Sequence, residues 1–148
     1  MTATFAQFQA ERDARNTLQL NVIKWCFMLT DALCQNYIDH AIRGHYRAIK
    51  DTNQDVLYHE IAADKLKAGI CPVRYDIISG KKYHKIVFVD GGGQRSAHAF
   101  VDKKTGEVYK TASWKSPAKG VRYDLRLIKD REYLFENADW SGGYLYMR

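Results

Sequence analysis

The sequence has few of the residues that staple small proteins together. It contains two prolines and three cysteines, and Cys26, Cys34 and Cys71 form no C-x-x-C pair. Three thiols cannot all pair with one another, and none of their spacings is typical of a zinc site. We therefore expect free thiols in a reducing compartment, with no bound metal and no other cofactor.

Long apolar runs are also missing. No stretch approaches the roughly 20 residues that span a bilayer, and the N-terminal segment carries acids and glutamines where a signal peptide needs an apolar core. We therefore expect no membrane association and a location in the cytoplasm. With 46% hydrophobic and 13% aromatic residues the chain is not disordered, and its 148 residues predict a single domain over 1–148.

No catalytic motif can be recognised. The sequence contains no G-x-S-x-G, no H-E-x-x-H and no cluster of carboxylates. The glycine run 90–94 is followed by a strand pattern, whereas a phosphate-binding loop opens a helix, so we interpret the run as a turn. The sequence thus predicts a protein that is not an enzyme and has no catalytic residues.

The five histidines do not change this interpretation. His40 and His45 are five residues apart and so lie on different sides of a helix, which makes them a poor pair of metal ligands. His84 and His98 fall on neighbouring predicted strands, where nuclease-like acid–base chemistry with a nearby lysine or tyrosine is conceivable. Histidines that are hydrogen-bonded within a sheet are the more usual case.

The first half of the chain predicts helices. Thr4 and Gln7 have the spacing of a capping box, and apolar residues recur every three or four positions over 18–49. This region is either one long helix or two helices broken near 30–31 or at Gly44. A further helix is expected over 55–68, with Leu57, Ile61 and Leu66 facing inward and Gly69 ending it.

From residue 73 the apolar period changes to two, which predicts strands. The tail adds a helix or strand near 125–135 and a strand-like segment at 144–146. The expected fold class is α+β, with a helical N-terminal half packed on a four-stranded antiparallel meander. The four strands are expected at 73–78, 83–89, 96–102 and 107–113.

The turn at 103–106 fixes a register, because Gly106 suits a type I turn with a bulge. It places Phe100 opposite Tyr109 and His98 opposite Thr111 on one face of the sheet. The other face carries small aliphatic residues that we expect to pack on the helix through Val22, Trp25, Leu29 and Leu33. These residues are Ala97, Ala99, Val101, Val108 and Ala112.

The net charge of +6 arises in the second half of the chain. Residues 1–72 hold eight basic and eight acidic residues, whereas residues 73–148 hold fifteen basic and nine acidic ones. The excess is greatest over 103–131, where nine Lys and Arg residues accompany three acids. Such asymmetry indicates a polyanionic partner.

The basic segment also carries aromatic rings. Cations that follow phosphates, together with rings on which bases stack, are the means by which proteins hold single-stranded nucleic acid. The alternative interpretation is a solvated charged surface whose Trp and Tyr side chains belong to the core. The predicted nucleic-acid-binding residues are Lys103, Lys104, Tyr109, Lys110, Trp114, Lys115, Lys119, Arg122, Tyr123 and Arg126.

Within residues 96–126 the sequence combines Phe100-Val101-Asp102, Thr105-Gly106, Val108-Tyr109-Lys110, Ser113-Trp114-Lys115 and Pro117-Ala118-Lys119. This stretch, about a fifth of the chain, resembles one in short proteins of tailed bacteriophages that have no assigned function. The resemblance implies a viral origin and action in the cytoplasm of a bacterial host. It carries no catalytic residues over to this sequence.

Together these features predict a small viral nucleic-acid-binding protein without sequence specificity, with single strands favoured and DNA and RNA equally open. The alternative is a structural component of the virion, or a protein that binds or inhibits a host factor through its helical half. An acidic protein would attract the same basic segment. A homo-oligomer or an assembly within the virion is compatible with either function.

Overall fold

A single long helix dominates the first half of the fold. The computed structural model describes residues 4–51 and 55–146, and helix α1 runs over Phe5–Lys50 without a break. The predicted capping box is present, since the Thr4 hydroxyl accepts the backbone N–H of Gln7 and the Gln7 side chain accepts that of Thr4. Of the two arrangements open from the sequence, the structure has the continuous helix.

Helix α2, Val56–Lys67, lies against α1 and ends before Gly69, which has a φ of +87°. It buries Ala63 and Leu66. The prediction that Leu57 and Ile61 also face inward is wrong, because both are exposed. Leu57 and Leu66 are nine residues apart, which is two and a half helical turns, so a helix packed along one side cannot bury both.

The sheet is an antiparallel meander in the order β1-β2-β3-β4-β5. The α+β class is confirmed, but the predicted number of four strands is wrong, because the two-residue strand β5 pairs with β4. Strand β4 ends before residue 113, since Thr111 bridges to Pro117 and the chain turns between them. The strands are β1 Arg74–Ser79, β2 Tyr83–Val89, β3 Arg95–Asp102, β4 Glu107–Lys110 and β5 Tyr123–Asp124.

The tail forms helix α3, Ile128–Asn137, and a short 3-10 helix, Gly143–Leu145, at the place where the sequence predicts a strand. Tyr144 and Leu145 are buried there. The tail therefore adds side chains to the core and does not extend the sheet.

One face of the sheet, here called the inner face, packs on α1. The hydrophobic cluster joins Val22, Leu29 and Leu33 of α1 to Ala99, Val101 and Val108 of the sheet, which confirms the predicted contact for these residues. The same prediction is wrong for Ala97 and Ala112, which lie outside the cluster. Trp25 lies at its margin, with the guanidinium carbon of Arg131 4.6 Å from its ring centroid. The opposite, outer face carries Tyr83, Lys85, Phe100 and Tyr109.

A β-bulge interrupts the pairing of β2 with β3. Ile86 lies opposite Ala99 but Val87 lies opposite Ala97, so His98 is the extra residue. Its ring contacts Tyr75 and Tyr144, two members of the core cluster. The expectation that His98 shares a face with Phe100 is therefore wrong, although Phe100 does lie opposite Tyr109 as predicted. The extra residue shifts the alternation of side chains for all of β3 that precedes it, so Ala97 also leaves the face predicted for it and Arg95 reaches the ring of Trp114.

Candidate nucleic-acid interface

Trp114 lies at the centre of a group of cations on the outer face. Its ring has the Nζ of Lys85 3.8 Å from the centroid and the guanidinium carbon of Arg95 5.6 Å away. These residues come from the 111–117 loop, β2 and β3 respectively. The Trp114 side chain keeps 39% of its surface exposed. Lys85, Arg95, Trp114 and Lys115 are here called the Trp114 cluster.

The Trp114 cluster carries positive charge that no ion pair of the described residues neutralises. Ion pairs join Arg74 to Asp76 and Arg126 to Asp124, whereas within residues 4–51 and 55–146 the cations of the Trp114 cluster form no ion pair. Partial burial, together with the positive charges of Arg95 and Lys115, lowers the pKa of Lys85. A bound anion would relieve the repulsion among these cations.

A row of rings extends from the cluster along the outer face. Lys85 also lies over Phe100, and the Tyr83 ring meets Phe100 and Tyr109 edge to face at centroid distances of 5.8 and 5.9 Å. Phe100 is buried and forms the floor of the row, whereas Tyr83 and Tyr109 are half-buried. Two rings of the row are therefore partly open to solvent beside Trp114.

A second group of lysines lies at the far end of the row. Lys81, Lys82 and Lys104 line a depression of about 350 Å³ beside the β3–β4 turn, and Lys82 also lies over the Tyr83 ring. Asp102 lies in the same depression, but its Oδ1 already accepts the backbone N–H groups of the turn. Cations thus lie at both ends of the aromatic row. The Trp114 cluster, the rings of Tyr83, Phe100 and Tyr109, and the lysines Lys81, Lys82 and Lys104 are together called the outer surface.

Several of the predicted binding residues belong to the outer surface. Lys104, Tyr109, Trp114 and Lys115 do so, as described above. Lys103 lies at the β3–β4 turn, where its Nζ donates a hydrogen bond to the carbonyl oxygen of Gly80 at 3.0 Å. Lys119 is exposed on the loop that follows residue 117.

Other predicted residues have structural roles. The prediction that Tyr123 binds nucleic acid is wrong. Its side chain is 1% exposed and its hydroxyl donates a hydrogen bond to the Tyr144 carbonyl oxygen, so no base can stack on it. Arg122 donates hydrogen bonds to the carbonyl oxygens of Lys119, Gly120 and Leu145. The sequence alone cannot distinguish a buried ring such as Tyr123 from an exposed one. It also cannot distinguish a cation that is hydrogen-bonded within the fold, such as Arg122, from one that is open to a ligand.

Arg126 and Lys110 are also separated from the Trp114 cluster. Arg126 forms a bidentate ion pair with Asp124, which neutralises its charge and lowers the pKa of that carboxyl group through the hydrogen bonds it donates. Lys110 lies opposite Ala99, an inner-face residue, and points to the ring of Tyr146. The alternation of a strand therefore divides Tyr109 and Lys110 between the two faces.

The sequence reasoning missed Lys82, Tyr83, Lys85 and Arg95, because these residues precede the segment with the charge excess. A signal for Lys85 was present, since the predicted strand 83–89 alternates and places Tyr83 and Lys85 on one face. Its position opposite Phe100 required the register of β2 on β3.

The structure does not bring His84 and His98 together on one site. His84 Nδ1 lies 2.7 Å from the Ser79 hydroxyl, and burial lowers its pKa, with a further contribution from Lys103. His98 Nε2 lies 2.8 Å from the Tyr144 hydroxyl. The described part of the chain contains no group of three or more His, Cys, Asp or Glu side chains that could hold a metal ion.

Two further observations bear on the expectations from composition. Cys26, Cys34 and Cys71 are free thiols, and burial raises the pKa of Cys26 to about 12. Among the helices of residues 4–51 and 55–146, none combines the length and apolarity needed to span a bilayer.

The fold and the outer surface define an α+β protein in which a long helix backs a five-stranded meander with a basic, aromatic free face. The chain belongs to a family of unknown function, DUF7717, whose model matches residues 5–147. No curated protein and no solved structure matches it.

Proposed function

We propose that the protein binds nucleic acid without sequence specificity through the outer surface, and that single strands are the favoured ligand. The observation that carries this proposal is Trp114, an exposed ring beside Lys85 and Arg95, two cations that form no ion pair within the described part of the chain. Cations in such a group attract phosphates, and the rings next to them offer stacking surfaces to bases.

The arrangement of the rings favours single strands. Bases in a duplex already stack on one another, whereas unpaired bases can stack on protein side chains. Trp114, Tyr83 and Tyr109 retain accessible surface along one row, with lysines at both ends. Because every base has a flat face, such contacts do not select a sequence. The resemblance to phage proteins adds the proposal that this is a viral protein that acts in the host cytoplasm.

The test is binding of labelled oligonucleotides, measured by fluorescence anisotropy over a salt series. If phosphate contacts dominate, the logarithm of the binding constant should fall with the logarithm of salt concentration by about 0.7 per contact on a single strand. The variant Lys85→Ala/Arg95→Ala removes two of these contacts. Its slope should therefore be flatter by about 1.4, and its affinity at low salt should be weaker.

The matched control is Lys24→Ala/Arg43→Ala, which removes two exposed cations from α1. This variant has the same net charge as Lys85→Ala/Arg95→Ala, but its binding should keep the salt dependence of the wild type. Equal losses in the two double variants would show that net charge and not the outer surface governs binding. Absence of binding at about 50 mM salt, where even weak electrostatic association is measurable, would refute the proposal.

A second candidate function is that of an interaction protein, either a virion component or a protein that binds a host factor. It is favoured by the first turns of α1, because every residue over 4–17 is exposed, including Phe5 and Phe8. A helix without tertiary contacts is marginal in water at this length, so a partner would stabilise it. This function predicts that Phe5→Ala/Phe8→Ala weakens a protein complex but leaves oligonucleotide binding intact.

A further inference from the structure

A second concave surface lies on the inner side of the sheet. It is a cleft of about 380 Å³ between β3, the end of β4 and the C-terminal residues 140–146. That volume is within the range of small-molecule sites. The Trp114 cluster is on the other face, so the cleft is separate from the outer surface.

Lys110 is the one charged side chain that residues 4–51 and 55–146 contribute to the lining of the cleft, and no carboxylate of these residues lines it. The hydroxyl groups of Ser96, Thr111 and Ser141 also line the cleft. Asp139 is close by, but its oxygens accept hydrogen bonds from the Ser141 side chain and from backbone N–H groups including that of Tyr144. The polar part of a complementary ligand is therefore a single anionic group.

Two aromatic side chains, Trp140 and Tyr146, also line the cleft, and Trp140 is held in place by contacts with α1. Trp140 donates its backbone N–H to the Asn36 side chain at 2.9 Å, and its ring meets Tyr37 edge to face at 5.6 Å. Tyr146 is exposed, and its ring centroid lies 4.8 Å from the Nζ of Lys110. A fixed ring such as that of Trp140, with a second ring nearby, suits a flat, unsaturated ligand body.

The β-bulge brings one more hydrogen-bonding group into the cleft. His98 is the bulged residue, and its Nε2 is engaged by the Tyr144 hydroxyl. Burial lowers the pKa of His98 to about 4, so the ring is neutral at pH 7 and adds no charge. Among the residues that the structure describes, Lys110 is thus the one permanently charged side chain in the lining of this cleft.

We propose that this cleft binds a nucleoside monophosphate. Lys110 and the neighbouring hydroxyl groups hold the phosphate, and the base lies against the rings of Trp140 and Tyr146. One lysine matches one phosphate, so the site disfavours di- and triphosphates. The proposal does not depend on the function of the outer surface, because none of the cleft residues belongs to the Trp114 cluster.

The test is isothermal titration calorimetry with four nucleoside monophosphates, the corresponding nucleosides and inorganic phosphate. At least one monophosphate should bind more tightly than its nucleoside and than phosphate alone. Lys110→Gln should weaken that binding by about tenfold or more, since it removes a charge-assisted hydrogen bond. The matched control Lys115→Gln removes a lysine from the outer surface and should leave the affinity unchanged.

A third variant, Trp140→Phe, keeps an aromatic wall and should weaken binding less than Lys110→Gln does. Circular dichroism establishes that each variant is folded before titration. The proposal is overturned if no monophosphate binds at millimolar concentration or if nucleosides bind as tightly as monophosphates. It is also overturned if Lys115→Gln loses as much affinity as Lys110→Gln, since the ligand would then occupy the outer surface.

Discussion

The outer surface and the cleft both combine lysine with aromatic rings, yet they offer different physical environments. At the Trp114 cluster, three cations from different chain segments crowd one exposed ring. In the cleft, Lys110 is the one charged side chain that the described residues contribute to the lining, and it lies beside the rings of Trp140 and Tyr146. The number of charges without an ion-pair partner and the shape of the surface, more than residue type, therefore distinguish the ligands that we propose for the two regions.

The largest effect should be on the free energy of unfolding, when the buried ring of Tyr123 is removed. Tyr123→Ala removes a fully buried side chain and its hydrogen bond to Tyr144, so the free energy of unfolding should fall by about 3–5 kcal/mol. Trp114→Ala, at an exposed ring, should cost about 1 kcal/mol or less. Urea unfolding measures both. Equal losses would mean that Trp114 is as much a core residue as Tyr123.

The pH dependence of stability should distinguish the cleft from the outer surface. The pKa of His98 falls from 6.5 to about 4 on folding, mainly through burial, so the unfolded state takes up a proton first as the pH falls. The contribution of His98 to the free energy of unfolding should therefore be fully present above pH 6.5 and should be lost as the pH falls from 6.5 to 4. Below pH 4 no further loss is expected, and the total loss is about 3 kcal/mol at most.

The variant His98→Gln isolates this contribution, because glutamine can still hydrogen-bond the Tyr144 hydroxyl but does not titrate. Its free energy of unfolding should fall less between pH 6.5 and 4 than that of the wild type. His84, whose pKa is also lowered, remains in both proteins and so cancels from the difference. Parallel curves for the two proteins would show that His98 does not titrate in this range.

The smallest effect is expected on oligonucleotide affinity, when the exposed ring of Trp114 is removed. Trp114→Ala should weaken oligonucleotide binding by about 1–3 kcal/mol, because a stacking partner is lost. The slope against salt should not change, since stacking releases no counterions. Tyr58→Ala, at an exposed ring on α2, is the matched control and should bind as the wild type does. A flatter slope for Trp114→Ala would indicate that the ring acts by positioning Lys85 and Arg95.

Much of the fold could be predicted because it depends on local patterns. The capping box at Thr4, the stop at Gly69 and the pairing of Phe100 with Tyr109 each follow from residues close together in the chain. The contact of α1 with Ala99 and Val101 followed from the need of both apolar faces to be buried. The charge distribution drew attention to Trp114 and Lys115, which the structure places beside Lys85, and their part in binding stays a prediction.

The sequence by itself determined the helical first half, the strands β1 to β4, the pairing of Phe100 with Tyr109 next to the β3–β4 turn and the apolar face of α1, because periodicity and turn residues act over a few positions. Only the tertiary structure decided the bulge at His98, the burial of Tyr123 and the meeting of Lys85 and Arg95 at Trp114. These features depend on residues distant in the chain. A ring or a cation has the same local signature in a core, an ion pair or an open surface, and packing alone distinguishes them.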